Sequence, residues 1–297
     1  MNDMSKHYDF AVVGGDQRQV YMVNELISRG YSVVYYGRPD ERMSPRAMEA
    51  DSLSQALAGS YIILCPVPFT RNKTSIATLE EFTDGGVDYL LSNLKQGHTL
   101  FTGNIPAYAA DYCTREGIAY NDLMRRDDVA ILNAISTAEG AVAEAIIRSD
   151  INLHQSNCLV TGFGRCARVL AKKLGGLDAR VTVAARSRDA RVSAQAYGYD
   201  AVSFEQLEGQ LNRFDYIFNT IPAVILGADQ LKCLNPQVTI IDIASAPGGI
   251  DFEAAKKLHI NAVLCPGLPG RYAPQTSGVI LADAIENILK TKTEKAV

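Results

Sequence analysis

The chain has 297 residues, 47% of them hydrophobic and 21% charged, with a formal net charge of −4. That length accommodates two domains of ordinary size with large cores, and the mild negative charge gives no electrostatic footprint for nucleic acid or an anionic membrane surface, so neither partner is expected. No apolar signal region opens the sequence and no apolar run approaches a membrane span, so a cytoplasmic protein is expected. The six cysteines, at 65, 113, 158, 166, 233 and 265, form no CxxC pair and no zinc-like spacing; they read as reduced, mostly buried thiols, and no metal site is expected.

In chain order, residues 9–13 read as a strand, followed by the turn Gly14-Gly15 and a helix opened by Asp16 that carries Val20, Val23, Leu26 and Ile27 on one face. Arg18 in the first helical turn opposes the helix dipole by about 0.3–1 kcal/mol. That cost is understandable if Arg18, with the Gly14 and Gly15 amides, binds a substrate carboxylate; the plainer alternative is an Asp16 cap followed by a surface arginine. Strands at 31–36, 61–65, 99–102 and 118–121 then alternate with helices at 52–57, 87–94 and 107–116. Such βα alternation with short connections predicts a doubly wound parallel sheet. Residues 71–86 are the least periodic and read as a loop bordering the site.

Residues 123–150 read as a linker. After the charged start at 125–128, Ser136-Thr137-Ala138-Glu139 has the spacing of a capping box and opens a helix to Arg148. Ser136 and Glu139 are candidate ligand contacts, although capping explains them more simply, and Thr137 is a further candidate contact.

The most informative stretch is residues 157–175, NCLVTGFGRCARVLAKKLG: an apolar strand, then Gly162, Phe163, Gly164 and Arg165, then a helix with Ala167 as the third small residue. This is a dinucleotide-binding fingerprint in its proper strand-turn-helix context, in which Gly162 makes the tight turn, Gly164 lets amides approach a pyrophosphate and Ala167 packs the helix on its strand. The next strand, 180–185, ends in Arg186, Ser187 and Arg188 where an NAD site would place an acidic residue for the ribose hydroxyl. Two guanidinium forks and a hydroxyl suit a 2′-phosphate, so NADP is the expected cofactor; solvated strand-end arginines are the alternative. Strands at 216–219, 238–243 and 262–265 end in loops that should gather at the ligand edge: Asn219-Thr220-Ile221-Pro222, Ala244-Ser245 running on to Gly249, and Gly267-Leu268-Pro269 within 266–271. A final helix over 276–289 is expected to return to the first domain. The fold expected is therefore α/β, two doubly wound parallel-sheet (Rossmann-like) domains joined by a linking helix: 1–128 plus 272–297 for substrate, 129–150 as linker helix, and 151–271 for NADP.

His7, His98, His154 and His259 each precede a predicted strand and so belong to the amino edge of a sheet, away from ligand. A histidine acid–base or metal site is disfavoured, and the polar residues expected at the cleft are instead Asp16, Arg18, Thr137, Glu139, Ser245 and Arg271, with Asp16 and Glu139 as candidate proton acceptors and Gly14, Gly15, Arg18, Thr137 and Ser245 as candidate substrate contacts.

The motifs GGDQRQ (14–19), RRDDVAILNAISTAEG (125–140), TGFGR (161–165), AARS (184–187), NTIP (219–222), DIASAPGG (242–249) and PGLPGRYAPQTSG (266–278) resemble, in the same order, the A-subunit family of bacterial dipicolinate synthase. The resemblance covers nearly the whole chain. It implies oxidation of dihydrodipicolinate to dipicolinate with NADP, in the mother cell of a spore-former, and the partner it implies is a flavoprotein-like B subunit; a homo-oligomer is also expected. Some relatives differ at Ser136 and Arg271. Two other readings are an NADP-binding partner subunit without catalysis of its own, and an NADP-dependent dehydrogenase of another cyclic carboxylate, similar to shikimate dehydrogenase, for which Lys73 would supply the lysine of a Lys–Asp pair.

Overall fold

The computed structural model describes residues 7–37, 40–78 and 84–294, the side chains of 292–294 excepted. The chain divides into two compact units, Met1–Ala130 with Ala273–Val297, and Ile131–Tyr272.

The first unit holds β1 (Phe10–Val13), β2 (Val33–Tyr36), β3 (Met48–Glu49), β4 (Ile62–Leu64), β5 (Thr99–Thr102) and β6 (Ala119–Asp122) in the order β3-β2-β1-β4-β5-β6, every pairing parallel. Helices α1 (Gln17–Ser28), α2 (Leu53–Ala58), α3 (Val87–Asn93) and α4 (Ala107–Arg115) make the crossovers. All four residues of β1 are buried, as a parallel strand covered on both faces requires. Their alternation supplies two cores: Ala11 and Val13 pack with Leu53, Ile63 and Leu90, while Phe10 and Val12 pack with Val20, Leu26, Ala282 and Ile285. The last two belong to α12 (Pro274–Glu294), which returns to pack on α1 as expected. A Cβ at Gly278 would lie 2.7 Å from the Arg18 carbonyl oxygen and 2.9 Å from the Met22 nitrogen, so the two helices cross with backbones nearly touching.

The second unit repeats the architecture with β7 (Asn157–Thr161), β8 (Arg180–Ala184), β9 (Asp200–Val202), β10 (Tyr216–Asn219), β11 (Thr239–Asp242) and β12 (Asn261–Leu264), ordered β12-β11-β10-β7-β8-β9 and again all parallel. After α6 (Arg165–Gly176) and α7 (Arg188–Ala196) come α8 (Phe204–Leu207), α9 (Ala228–Lys232), α10 (Phe252–Lys257) and α11 (Leu268–Tyr272). Ala167, Leu170, Ala171 and Leu174 form the buried face of α6 at helical spacing. The short strands β3 and β9, two and three residues long, carry too little alternation to be read from sequence.

The linking helix is present, but its start differs from the capping-box reading. Helix α5 runs unbroken over Asp127–Ile147, starting well before Ser136. Asp127 and Asp128 in its first turn favour that start through the dipole. Ser136 is then a buried mid-helix residue, and the Thr137 hydroxyl donates to the Asn133 carbonyl at 3.0 Å, one turn back, so no cap exists there. Contrary to the sequence reading, α5 is long and apolar enough to cross a membrane by length and composition, with a mean hydropathy of 1.4 over its best window. One face packs in the core of the second unit, through Ala138, Ala141 and Ala145, while Ile131, Leu132, Ile135, Ile146 and Ile147 are exposed. Glu144, 2% exposed, accepts from Arg271 Nη2 at 2.6 Å, Tyr272 Oη at 2.7 Å and Arg148 Nε at 2.8 Å. Burial alone would push this carboxyl up, but those donors and the two guanidinium charges outweigh it and hold it below its ordinary value. All six cysteines are free.

Candidate functional site

In the second unit the strand order reverses between β7 and β10, and open α/β sheets bind ligands at such a reversal, outside the carboxyl ends of the strands. The fingerprint turn leaves β7 there. Gly162 has φ +85°, and a Cβ on it would lie 2.9 Å from Thr220 Oγ1 and 3.2 Å from Ile221 Cγ1, so the turn and the loop after β10 pack on one another. Gly164 is different: its φ of −80° suits any residue, and an added Cβ would meet no protein atom within 4 Å. Neither backbone nor packing demands glycine at that position, whereas a pyrophosphate would. Gly164 is also the N-cap of α6 and offers no side-chain cap, so no capping side chain stands between an anion and the Cys166 and Ala167 amides. The residues present therefore fit a dinucleotide. Phe163 is buried against Tyr197 and Tyr199, ring centroids 6.1 and 6.2 Å away, which withdraws its side chain from the turn's outer face; Arg165 opens α6 from an exposed position.

At the end of β8, Arg186, Ser187 and Arg188 are all exposed. The Ser187 hydroxyl caps α7, accepting from the Ala190 amide at 3.2 Å. Arg191, which sequence reasoning missed, donates from Nη1 to the Ala185 carbonyl at 2.8 Å and the Arg186 carbonyl at 2.7 Å and so fixes the turn that presents the other two arginines.

A buried polar network ties the remaining strand-end loops. Asn219 is fully buried, accepts from Thr161 Oγ1 at 2.6 Å and donates to Asp242 Oδ1 at 2.8 Å and to the Ile221 carbonyl at 3.0 Å. Asp242, equally buried, also accepts from the Ala244 amide at 3.0 Å and, on Oδ2, from the Gly249 amide at 2.7 Å. A Cβ on Gly248 would lie 2.6 Å from Asp242 Oδ2, and one on Gly249 would lie 2.5 Å from Asn219 Nδ2, so both glycines are there for close approach as well as for the turn. Asn219 thus works as an internal strut. Thr220 adds a 2.7 Å bond from its hydroxyl to the Thr161 carbonyl, while Pro222 and Ser245 are exposed and Ile221 is half-buried. Gly267 has φ +69°, and Leu268 and Pro269 are buried in α11 where the sequence suggested a loop.

Two of the acid–base candidates are already paired. Glu139 lies 2.7 Å from Lys173 Nζ, an exposed contact within the second unit. In the first unit Arg18, expected to be free for a carboxylate, is 4% exposed and grips Asp16 through Nε at 2.9 Å and Nη2 at 2.7 Å, with Nη2 also donating to the Val67 carbonyl. The Gly14 amide donates to the Tyr36 carbonyl at 2.8 Å and the Gly15 amide to the Ala77 carbonyl at 2.9 Å, so neither is available to a ligand. Burial would raise the Asp16 carboxyl, but the hydrogen bonds and charge of Arg18, helped by Arg71, hold it below its ordinary value, which makes it a poor proton acceptor. Lys73 forms no ion pair among the described residues. The four histidines precede β1, β5, β7 and β12, at the amino edges; buried His98 accepts the Lys95 amide on Nδ1 at 3.0 Å.

Two parallel doubly wound units, one with a fingerprint turn at its reversal point, define a dehydrogenase-type nucleotide-binding protein. Residues 133–248 match the NAD-binding domain of D-isomer-specific 2-hydroxyacid dehydrogenases, and residues 9–124 match the N-terminal domain of the dipicolinate synthase A-subunit. The chain is 32% identical to the dipicolinate synthase A-subunit of Bacillus subtilis (strain 168), covering 94% of this chain and 95% of that one. Crystal structures of the dipicolinate synthase A-subunit from Bacillus halodurans (TM-score 0.86, 30% identity, 96% of this chain and 97% of that one) and from Bacillus subtilis (TM-score 0.83, 30% identity, 99% and 100%) share the fold. The chain belongs to the A-subunit family of dipicolinate synthase.

Proposed function

We propose that this protein oxidises dihydrodipicolinate to dipicolinate with NADP, in company with a second subunit. The observation that carries the redox half of this reading is the open α6 N-terminus beside Gly164 at the β7/β10 reversal; family membership supports the substrate. Bound NADP would supply the hydride acceptor. The second unit's own residues do the rest of the binding work: α6 amides for the pyrophosphate, Arg186, Ser187 and Arg188 for the 2′-phosphate, and the Asn219–Asp242 strut to hold the NTIP and DIASAPGG loops, with Thr137 and Ser245 as polar contacts near the ring. Loss of one hydride and one proton from the substrate makes an aromatic ring, so much of the driving force is intrinsic and no strong base is demanded. Glu139, with Lys173 as its partner, remains the candidate proton acceptor, in preference to Asp16.

Neither the Arg186 nor the Arg188 guanidinium has a side-chain partner among the described residues, which favours NADP over NAD. Replacing Arg186 by alanine is expected to weaken NADP about 10- to 100-fold, as loss of a charge-assisted phosphate contact does, and to leave NAD unchanged. Titration of both cofactors into both proteins checks this; equal wild-type affinity for NAD and NADP would refute the specificity. A second reading, a cofactor-binding subunit whose chemistry needs its partner, is favoured by the pairing of both carboxylate candidates within the chain.

A further inference from the structure

The first unit has its own reversal point, between β1 and β4, where a ligand edge is expected. The obvious donors there are spent. Besides the Gly14 and Gly15 amides, the Asp16 amide donates to Gln19 Oε1 at 2.9 Å, and the Arg18 and Gln19 amides both bond back to Asp16, at 3.1 and 3.0 Å. Helix α1 is closed by its own capping box. Arg18 is locked onto Asp16 and the Val67 carbonyl.

One cation in this cluster is left over. Arg71, in the segment that follows β4, has a side chain 52% exposed and lies 3.9 Å from Asp16 Oδ2, the oxygen that already receives Arg18 Nη2 at 2.7 Å. Among the described residues this one carboxylate is faced by two guanidinium groups, and Arg71 is the one of the two cations that reaches solvent. The chain around Arg71 is anchored: the Phe69 amide donates to the Gly103 carbonyl at 2.7 Å, the Thr74 and Ser75 amides donate to Asn72 Oδ1 at 3.0 and 2.8 Å, and Tyr108 Oη donates to the Lys73 carbonyl at 2.6 Å. Behind the same turn Gln19, 1% exposed, has an Nε2 with no hydrogen-bond partner among the described residues.

We propose that Arg71 binds a carboxylate of a dicarboxylate substrate, with the Asp16–Arg18 pair as the buried support beneath it. The inference rests on the function proposed above and changes the residue assigned to the carboxylate. A planar guanidinium with free N–H groups can take both oxygens of a carboxylate, which the buried Arg18 cannot do without abandoning Asp16.

The test measures binding of pyridine-2,6-dicarboxylate by calorimetry, and KM and kcat for dihydrodipicolinate, in wild type, Arg71→Ala and Arg71→Lys, with NADP affinity measured on each. Arg71→Ala is expected to raise the dicarboxylate Kd and the substrate KM at least tenfold with NADP affinity unchanged, and Arg71→Lys to recover part of the loss. Unchanged KM and Kd in Arg71→Ala, against an active wild type, would overturn the role of Arg71 alone. A wild type that, with and without the second subunit, neither binds the dicarboxylate nor turns over would overturn the proposed function, and this inference with it.

Discussion

Replacing Asp242 by alanine is expected to destabilise the protein by about 3–5 kcal/mol and to weaken NADP at least tenfold. The carboxylate is fully buried and accepts three hydrogen bonds, from Asn219 Nδ2 and from the Ala244 and Gly249 amides. Removing it strands three buried donors, each carrying a desolvation penalty of about 1–3 kcal/mol when unpaired. The loops those donors belong to leave β10 and β11, so their position relative to the fingerprint turn is lost with the network. Asp242→Asn keeps the shape but turns one oxygen into a donor that must face an amide or Asn219, and should fall between the alanine variant and wild type. Urea unfolding with parallel NADP titration checks both; a wild-type midpoint for Asp242→Ala would show that the network carries no stability.

Gly164→Val is expected to do the reverse, leaving stability within about 1 kcal/mol of wild type while weakening NADP about 100-fold, equivalent to about 2.7 kcal/mol. The φ of −80° admits a side chain and the first atom of that chain meets no protein atom within 4 Å, so the fold should accept it. What the branched side chain would obstruct is the approach of an anion to the α6 amides. Gly162→Ala makes the informative contrast: at φ +85°, with Thr220 Oγ1 2.9 Å from the new Cβ, it should lose stability as well as affinity. Thermal melts and NADP titrations on the pair separate the two roles, and undiminished NADP affinity in Gly164→Val would remove the pyrophosphate assignment.

The two sheets and the fingerprint were legible because they rest on local pattern. A four-residue apolar run before two glycines and a helix-spaced Ala167, Leu170, Ala171 and Leu174 need no tertiary knowledge to interpret. What escaped was set by distant contacts. Arg18 looked like an anion ligand since nothing local shows that the Val67 carbonyl, 49 residues on, would hold it inward beside Asp16. Asp242 and Asn219 are 23 residues apart and meet only because β10 and β11 pair in register. At Ser136 the local signal misled: the spacing of a capping box recurs inside a helix whose real start, at Asp127, was hidden among mixed charges.

NADPH formation by the purified chain given dihydrodipicolinate and NADP, with and without the second subunit and with NAD as control, decides whether this protein carries out the reaction. NADP-dependent turnover by this chain alone is expected, and turnover only with the second subunit would move the chemistry to the complex. No NADPH under either condition would contradict the assignment of this reaction to the protein.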